Sequence, residues 1–171
     1  KTIGLDETRN FYGRLEDLLK GDFNYWLHRG CAEVENNNVP HAELYLNYAK
    51  ALNPSDLNTQ TEWAHLLFRK ALSNVGGVDS QRFVEEAERC LMGNIASRGD
   101  KDAHSYHVLG VNMFQWIKRG IAALEQRRIA TKKLLGVVQQ GVQNHPANEP
   151  LRDLIKVISE YYVSLVVVPG K

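Results

Sequence analysis

The stretch that most limits what this chain can fold into is FNYWLHRGCAEVENNNVPHAELYLNYAKALNPSD, residues 23–56. Trp26, Gly30 and Val34 recur at steps of four and so share one face of a helix with a period of 3.6. Ala42, Leu46 and Ala49 share one face of a second helix. Between them lies ENNNVP, polar and rich in turn formers, which leaves room only for a tight reversal. Two antiparallel helices joined so closely must touch, and there the sequence sets large residues beside small ones. Gly30 and Ala42 let the backbones approach, while Trp26 and Leu46 fill the volume around them. Pro54 has no N–H to continue the second helix and ends the unit.

The same device returns twice, stretched. Asp56 can cap the run LNTQTEWAHLLFRKAL, which gathers Trp63, Leu66, Leu67 and Ala71 and places Ala64 where Gly30 stood. After the loop SNVGGVDS, Asp79 or Ser80 can start QRFVEEAERCLMGNIAS, with Phe83, Ala87, Cys90 and Leu91 on its buried side. Ala87-x3-Leu91 echoes Ala42-x3-Leu46, yet Ala64 and Ala87 are 23 positions apart where Gly30 and Ala42 are 12 apart. The third unit, starting at Asp102, has Tyr106, Leu109, Gly110 and Met113 in its first helix. Leu134, Val138 and Gly141 follow in its second helix, which ends at Pro146. Gly110 and Leu134 are 24 apart, which predicts helices a turn or two longer than in the first unit.

Residues 6–20 form an amphipathic helix carrying Phe11, Leu15, Leu18 and Leu19, with Asp6 as its expected N-cap. Asn148, Glu149 and Pro150 open a last helix with Leu151, Leu154, Ile155, Ile158 and Tyr162, the cover that a stack of helices needs at its end. The apolar tail YYVSLVVVPGK is expected to finish that helix and tuck beneath it.

The first unit resembles the tetratricopeptide repeat, whose W-x2-L-G-x2-Y…A-x3-F…P signature spans thirty-four residues. Here it stands as Trp26-x2-Arg29-Gly30-x2-Glu33, then Ala42-x3-Leu46 and Pro54. Arg29 and Glu33 replace the usual Leu and Tyr, which predicts a wetter face. The resemblance implies an all-α, right-handed α-solenoid of seven or eight helices forming a single domain over 1–171. Its parts are a packing helix (6–20), repeat 1 (22–56), repeat 2 with an insertion (57–99), an elongated repeat 3 (102–146) and a capping helix (148–166).

Composition narrows the function. Hydrophobic content of 43% and charged content of 24% are ordinary for a folded domain. No apolar run reaches the eighteen or so residues of a membrane span, and the start, KTIGLDETRN, is not a signal peptide. Two cysteines, Cys31 and Cys90, lie outside any CxxC pattern and read as buried thiols of a reducing, cytoplasmic compartment. Lacking an initiator Met, the chain reads as a fragment of something larger or a processed form.

A metal site is not expected, because His28 and Cys31 find no second pair, and no cofactor is implied. Phosphate loops of the GxxxxGK[ST] and GxGxxG types are absent. His104 and His107 beside Asp102, and Glu33 and Glu35 near His28, supply no nucleophile, so catalysis is not expected.

In the repeat family the first helices line a concave groove that takes peptides or partner domains. Carried over by spacing, the groove residues are Asn24, Leu27, Cys31 and Glu35, then Asn58, Thr61, His65, Phe68 and Arg69, then His104, His107, Val111, Phe114 and Gln115. The set lacks the Lys/Asn-rich clamp that grips a chain-end carboxylate in some members, which disfavours that ligand.

The alternative partner is nucleic acid, through Lys118, Arg119, Arg127, Arg128, Lys132 and Lys133. Residues 101–171 carry 10 Lys/Arg against 5 Asp/Glu, whereas residues 1–100 carry 11 against 15. No Phe, Tyr or Trp lies between positions 117 and 160, however, so base stacking is not provided for there.

The segments NYWLHRGCAEVENNNVPHAELYLNYAKAL, QTEWAHLLFRKAL and SYHVLGVNMFQWI are also similar to the C-terminal helical region of large bacterial antiphage proteins. Those join a sirtuin-like or other effector to a STAND-type P-loop ATPase. That resemblance implies a sensor or assembly module whose catalysis lies elsewhere in a longer chain.

Overall fold

A computed structural model of the chain describes residues 4–98 and 103–167, and these hold eight α-helices and no strand. They are α1 (Leu5–Leu19), α2 (Phe23–Glu35), α3 (Val39–Leu52), α4 (Leu57–Ser73), α5 (Ser80–Arg98), α6 (Ala103–Gly120), α7 (Leu124–Asn144) and α8 (Glu149–Val166). The start of the third unit at Asp102 lies outside the described residues, as does the end of the apolar tail.

Helix ends follow the chemistry read from the sequence. Asp56 caps α4 by accepting the Thr59 N–H at 2.6 Å, and Asn148 caps α8 through the Leu151 N–H at 3.0 Å. Asp6 does not cap α1: the N-cap is Gly4, and Asp6 lies in the first turn, where its charge faces the positive helix end. The Asn-rich turn closes α2. Asn37 sits at φ 56°, the Asn37 N–H reaches the Val34 carbonyl at 3.0 Å and the Asn38 N–H reaches the Glu33 carbonyl at 2.9 Å. That pair of bonds satisfies otherwise orphaned carbonyls, and Asn tolerates the left-handed backbone they require.

The additional residues of the second and third units are mostly helical. α2 and α3 have 13 and 14 residues, whereas α4, α5, α6 and α7 have 17, 19, 18 and 21. Each later pair is thus longer at the ends that meet its connecting loop.

Packing is sequential with one addition. Each helix from α2 to α8 lies against the next, and α2 also packs on α4, α4 on α6, and α6 on α8. The odd-numbered helices α3, α5 and α7 share no such extended packing with one another among the described residues. Hence α2, α4 and α6 form one continuous layer. A buried polar knot ties α4, α5 and α6 together: the Thr61 and Ser105 hydroxyls meet at 3.0 Å, and the Asn94 amide donates to Thr61 Oγ1 at 3.0 Å.

Small residues set the close approaches. A Cβ built at Gly30 would lie 2.6 Å from Leu46 Cδ2 and 3.3 Å from the Leu46 backbone nitrogen. The partner of Gly30 is therefore Leu46 rather than Ala42, although Ala42 is fully buried in the same core. In the third unit a Cβ at Gly110 would meet Val138 at 3.0 Å and Leu154 at 2.5 Å, and one at Gly141 would meet the Tyr106 ring at 2.8 Å. Ala64 and Leu91 occupy the corresponding places in the second unit, both fully buried.

The two departures from the repeat signature hold α1. Glu33, almost wholly buried, receives Arg9 in a two-point contact at 2.9 and 2.8 Å and also the Asn38 amide. Arg29 donates to Glu16 of α1 at 2.5 Å and to the Tyr25 hydroxyl, and lies 4.1 Å from the centre of the Tyr45 ring. The expected wetness of this face is instead a set of paired charges. Phe11 and Leu18 of α1 remain exposed, while Leu15 and Leu19 pack inward.

The tail is helical through Val166, and Leu165 turns inward while its carbonyl accepts Arg128 Nε at 2.7 Å. Val163, Val166 and Val167 stay exposed, so only part of the tail is tucked in. No helix among the described residues is long and apolar enough to cross a membrane.

Two outcomes test this packing. Gly30→Leu should cost about 1–3 kcal/mol by overpacking against Leu46. Gly136→Ala, at an α7 position with nothing within 4 Å, should gain about 0.5–1 kcal/mol from helix propensity alone. Thermal melts resolve both, since each kcal/mol moves Tm by about 2–4 °C at this chain length. Glu33→Gln should release α1 first. The hydrogen bonds from Arg9, the main cause, hold the Glu33 carboxyl below its usual range. The stability they add is present above about pH 4.5 and lost as pH falls through the depressed value. Limited proteolysis at pH 7 should therefore cut α1 in Glu33→Gln while wild type resists, and the two should converge in acid.

Candidate functional site

The layer of α2, α4 and α6 bears a cavity of about 750 Å³. Glu35 and Asn37 come from the α2 end, Glu62, His65 and Arg69 from α4, and His104, His107, Val111, Gln115 and Arg119 from α6. Seven of the residues expected in the groove line it: Glu35, His65, Arg69, His104, His107, Val111 and Gln115.

The other seven do not. Leu27, Thr61, Phe68 and Phe114 are buried in the core or the α4–α6 interface, and Phe114 packs edge-on against Tyr161 of α8. Asn24 and Asn58 are exposed beyond the cavity's edge, and Asn58 takes a hydrogen bond from Arg98. Cys31 is half-buried and packs against the core that holds Trp26 and Leu46. The carry-over assumed a regular repeat. In α4 the open face runs through Glu62, His65 and Arg69, one position on from Thr61, because Thr61 is drawn inward to Ser105 and Asn94. In α6 the groove keeps steps of three and four from His104 to Arg119, so Phe114 falls on the buried side.

Glu62 lines the cavity from α4 and was missed by spacing from Trp26. Its position three residues before His65 was the available signal, since such neighbours share a helix face. Arg119, four beyond Gln115, was missed because α6 runs further than a regular first helix.

The Glu62 carboxylate accepts His104 Nε2 at 3.0 Å and has His65 Nδ1 at 3.7 Å. Burial works to raise the Glu62 pKa, but the hydrogen bond from His104 and the neighbouring His65 outweigh it and hold the group at about 2. Burial, with the negative charge of Glu62 beside it, pushes the Cys31 thiol well up. Cys31 is thereby kept as a thiol, the unreactive form. Burial, and then the neighbouring His104, lowers the His107 pKa. Among the described residues no group of three or more His, Cys, Asp or Glu side chains is placed to hold a metal ion.

At the other end Arg69 is loosely held. Its Nη2 lies 4.0 Å from Glu35, whose side chain is 69% exposed, and its buried Nε has no hydrogen-bond partner among the described residues. A buried donor left so costs about 1–3 kcal/mol. Arg119 makes one long hydrogen bond, 3.4 Å, to the Leu72 carbonyl. Asp102, weighed beside His104 as a polar partner, lies outside the described residues, and Glu33 faces α1 instead of this cavity.

Most of the basic residues of positions 118–133 are engaged within the chain. Arg119 belongs to the groove, Arg127 donates to the Ile121 carbonyl, Arg128 to that of Leu165, and Lys133 pairs with Glu88 of α5 at 2.7 Å. Lys118 lies over the Phe114 ring.

Glu62→Gln should destabilise the fold by about 1–3 kcal/mol at pH 7, the range for a lost charged hydrogen bond in a buried setting. Because the folded pKa lies below the ordinary 4.5, this contribution is present above pH 4.5. It is lost as pH falls toward 2. Urea melts should show the gap between wild type and variant narrowing across that window.

Compared with protein-family models, with curated proteins and with solved structures, the chain matches none.

Proposed function

We propose that this chain is a non-catalytic scaffold of the tetratricopeptide-like α-solenoid type that takes a segment of a partner protein in the α2–α4–α6 groove. The observation that carries this reading is a single polar cavity to which all three first helices contribute side chains. The alternate packing of α2 on α4, α4 on α6 and α6 on α8 supports the solenoid, because only the first helix of each pair then faces a shared concave side. A binding role also fits the site's chemistry. Glu62 is tied up by histidines, and Cys31 beside it is held protonated, so neither is poised as a base or a nucleophile.

The likeness to the helical ends of antiphage STAND-type ATPases extends the proposal to a cytoplasmic sensor or assembly module, with other domains of the same protein among its partners. A nucleic-acid role is the weaker reading, since four of the basic residues are engaged by internal carbonyls or Glu88.

Peptides selected on the intact chain from a random library test the proposal. Bound peptides should shift the resonances of Glu35, His65, Arg69, His107 and Gln115, and Arg69→Glu should weaken them at least about tenfold, the cost of a reversed contact charge. Lys132→Glu with Lys133→Glu should leave them unchanged. Truncating Phe114 is no test of the groove, because that ring belongs to the core. Oligonucleotide binding that falls steeply with salt and is lost only in the Lys132/Lys133 variant would overturn the proposal.

A further inference from the structure

We infer that the Arg69 end of the groove is a subsite for a side-chain carboxylate, an Asp or Glu of an acidic segment, and that Glu35 occupies its place until such a segment arrives. The inference rests on the groove being a peptide site, as proposed above, and names what the peptide must carry.

Arg69 is a groove cation with an evident deficit. Its Nε is shielded from solvent without a hydrogen-bond partner among the described residues, and its closest acid, Glu35, stays at 4.0 Å, beyond hydrogen-bond reach. The same Glu35 carboxylate lies 3.9 Å from His65 Nδ1. A carboxylate thus already hovers between Arg69 and His65 and bonds to neither. It reaches over from α2 on a mostly exposed side chain, so it can leave at little cost.

Glu62 cannot fill this place, because His104 holds it at 3.0 Å. Arg119 lines the same cavity, its guanidinium making a long bond to the Leu72 carbonyl, three residues beyond Arg69 on α4. An incoming planar carboxylate can draw the Arg69 side chain round to present its Nε–Nη edge, whose two parallel donors match two carboxylate oxygens. The Nε–H that is unsatisfied in the free chain is then paired. Glu35, displaced, returns to water. Binding therefore exchanges a carboxylate that fits poorly for one that fits.

This makes an unusual demand: removing an acidic residue from the chain should strengthen an acidic ligand. The Arg69 Nε–H signal of the intact chain, followed by nuclear magnetic resonance, reports directly on the exchange. The probes are N-acetyl-aspartate N-methylamide, whose only carboxylate is its side chain, N-acetyl-alanine, whose only carboxylate is the chain end, and inorganic phosphate. The capped aspartate should shift the Arg69 Nε–H saturably and more tightly than the other two. Glu35→Gln should tighten it about fivefold by removing a surface charge competitor. Followed instead at the His65 ring, which lies beside the same carboxylate position, Arg69→Gln should abolish binding and Arg69→Lys should not restore it, because an ammonium offers no two-point edge.

Unchanged or weaker binding in Glu35→Gln, a preference for N-acetyl-alanine or phosphate, or no saturable shift overturns the inference. Selected peptides that occupy the groove without any acidic residue would overturn it while leaving the groove reading standing. A capped aspartate that binds Arg69 when no peptide enters the groove would sink the groove reading instead.

Discussion

The close approach of Gly30 to Leu46 is the constraint on which the rest depends. A helix pair whose backbones come this near can leave no room for a Cβ on one side, and the sequence supplies none. Gly110 against Val138 and Leu154, and Gly141 against Tyr106, repeat the arrangement at the other end of the molecule. With each pair held tightly, the first helices lie side by side, α2 on α4 and α4 on α6. Only then do Glu35, Glu62, His65, Arg69 and His104, spread over seventy positions of sequence, meet around one cavity. The meeting of these side chains thus depends on glycines that lie outside the cavity's lining.

Charge is used in two opposite ways on the two sides of α2. Toward α1 the acid Glu33 is buried and fully matched, by Arg9 at two points and by Asn38, and the result is a fixed docking of one helix on another. Toward the groove the acid Glu35 is exposed, and among the described residues the nearest cationic groups are His65 at 3.9 Å and Arg69 at 4.0 Å. A satisfied buried pair resists exchange, because removing either partner strands the other away from water. An exposed carboxylate at that distance resists nothing. The same residue type two positions apart therefore fixes one surface and leaves the other unpinned.

Much of this was legible in the sequence and some was not, for physical reasons. The helix pairs were readable because apolar and small residues recur with the helical period at Trp26, Gly30, Ala42, Leu46, Tyr106, Gly110 and Val138. Asp56 and Asn148 announced helix starts because their side chains can serve few other purposes before an apolar run. Asp6 misled because α1 begins earlier, at a glycine that presents only backbone. Groove residues were read by carrying a fixed spacing along helices that are longer than that spacing assumes. The rotation of α4 is decided by Thr61, Ser105 and Asn94, which meet from three different helices. No local pattern contains that meeting. Glu33 and Arg29, read only as polar departures, gained their meaning when Arg9 and Glu16 arrived from α1.

The claim that glycine sets the helix spacing is tested most directly by measuring Gly30→Ala in two backgrounds. In the wild-type chain the new methyl meets Leu46 Cδ2 at 2.6 Å, so the substitution should destabilise. In a Leu46→Ala background the obstructing side-chain atoms are gone and only the backbone nitrogen, at 3.3 Å, stays close, so the same substitution should stabilise by up to about 1 kcal/mol through helix propensity. Urea denaturation of the four proteins in this cycle gives both signs. A reversal of sign is the result required here; an effect of the same sign and size in both backgrounds would contradict it.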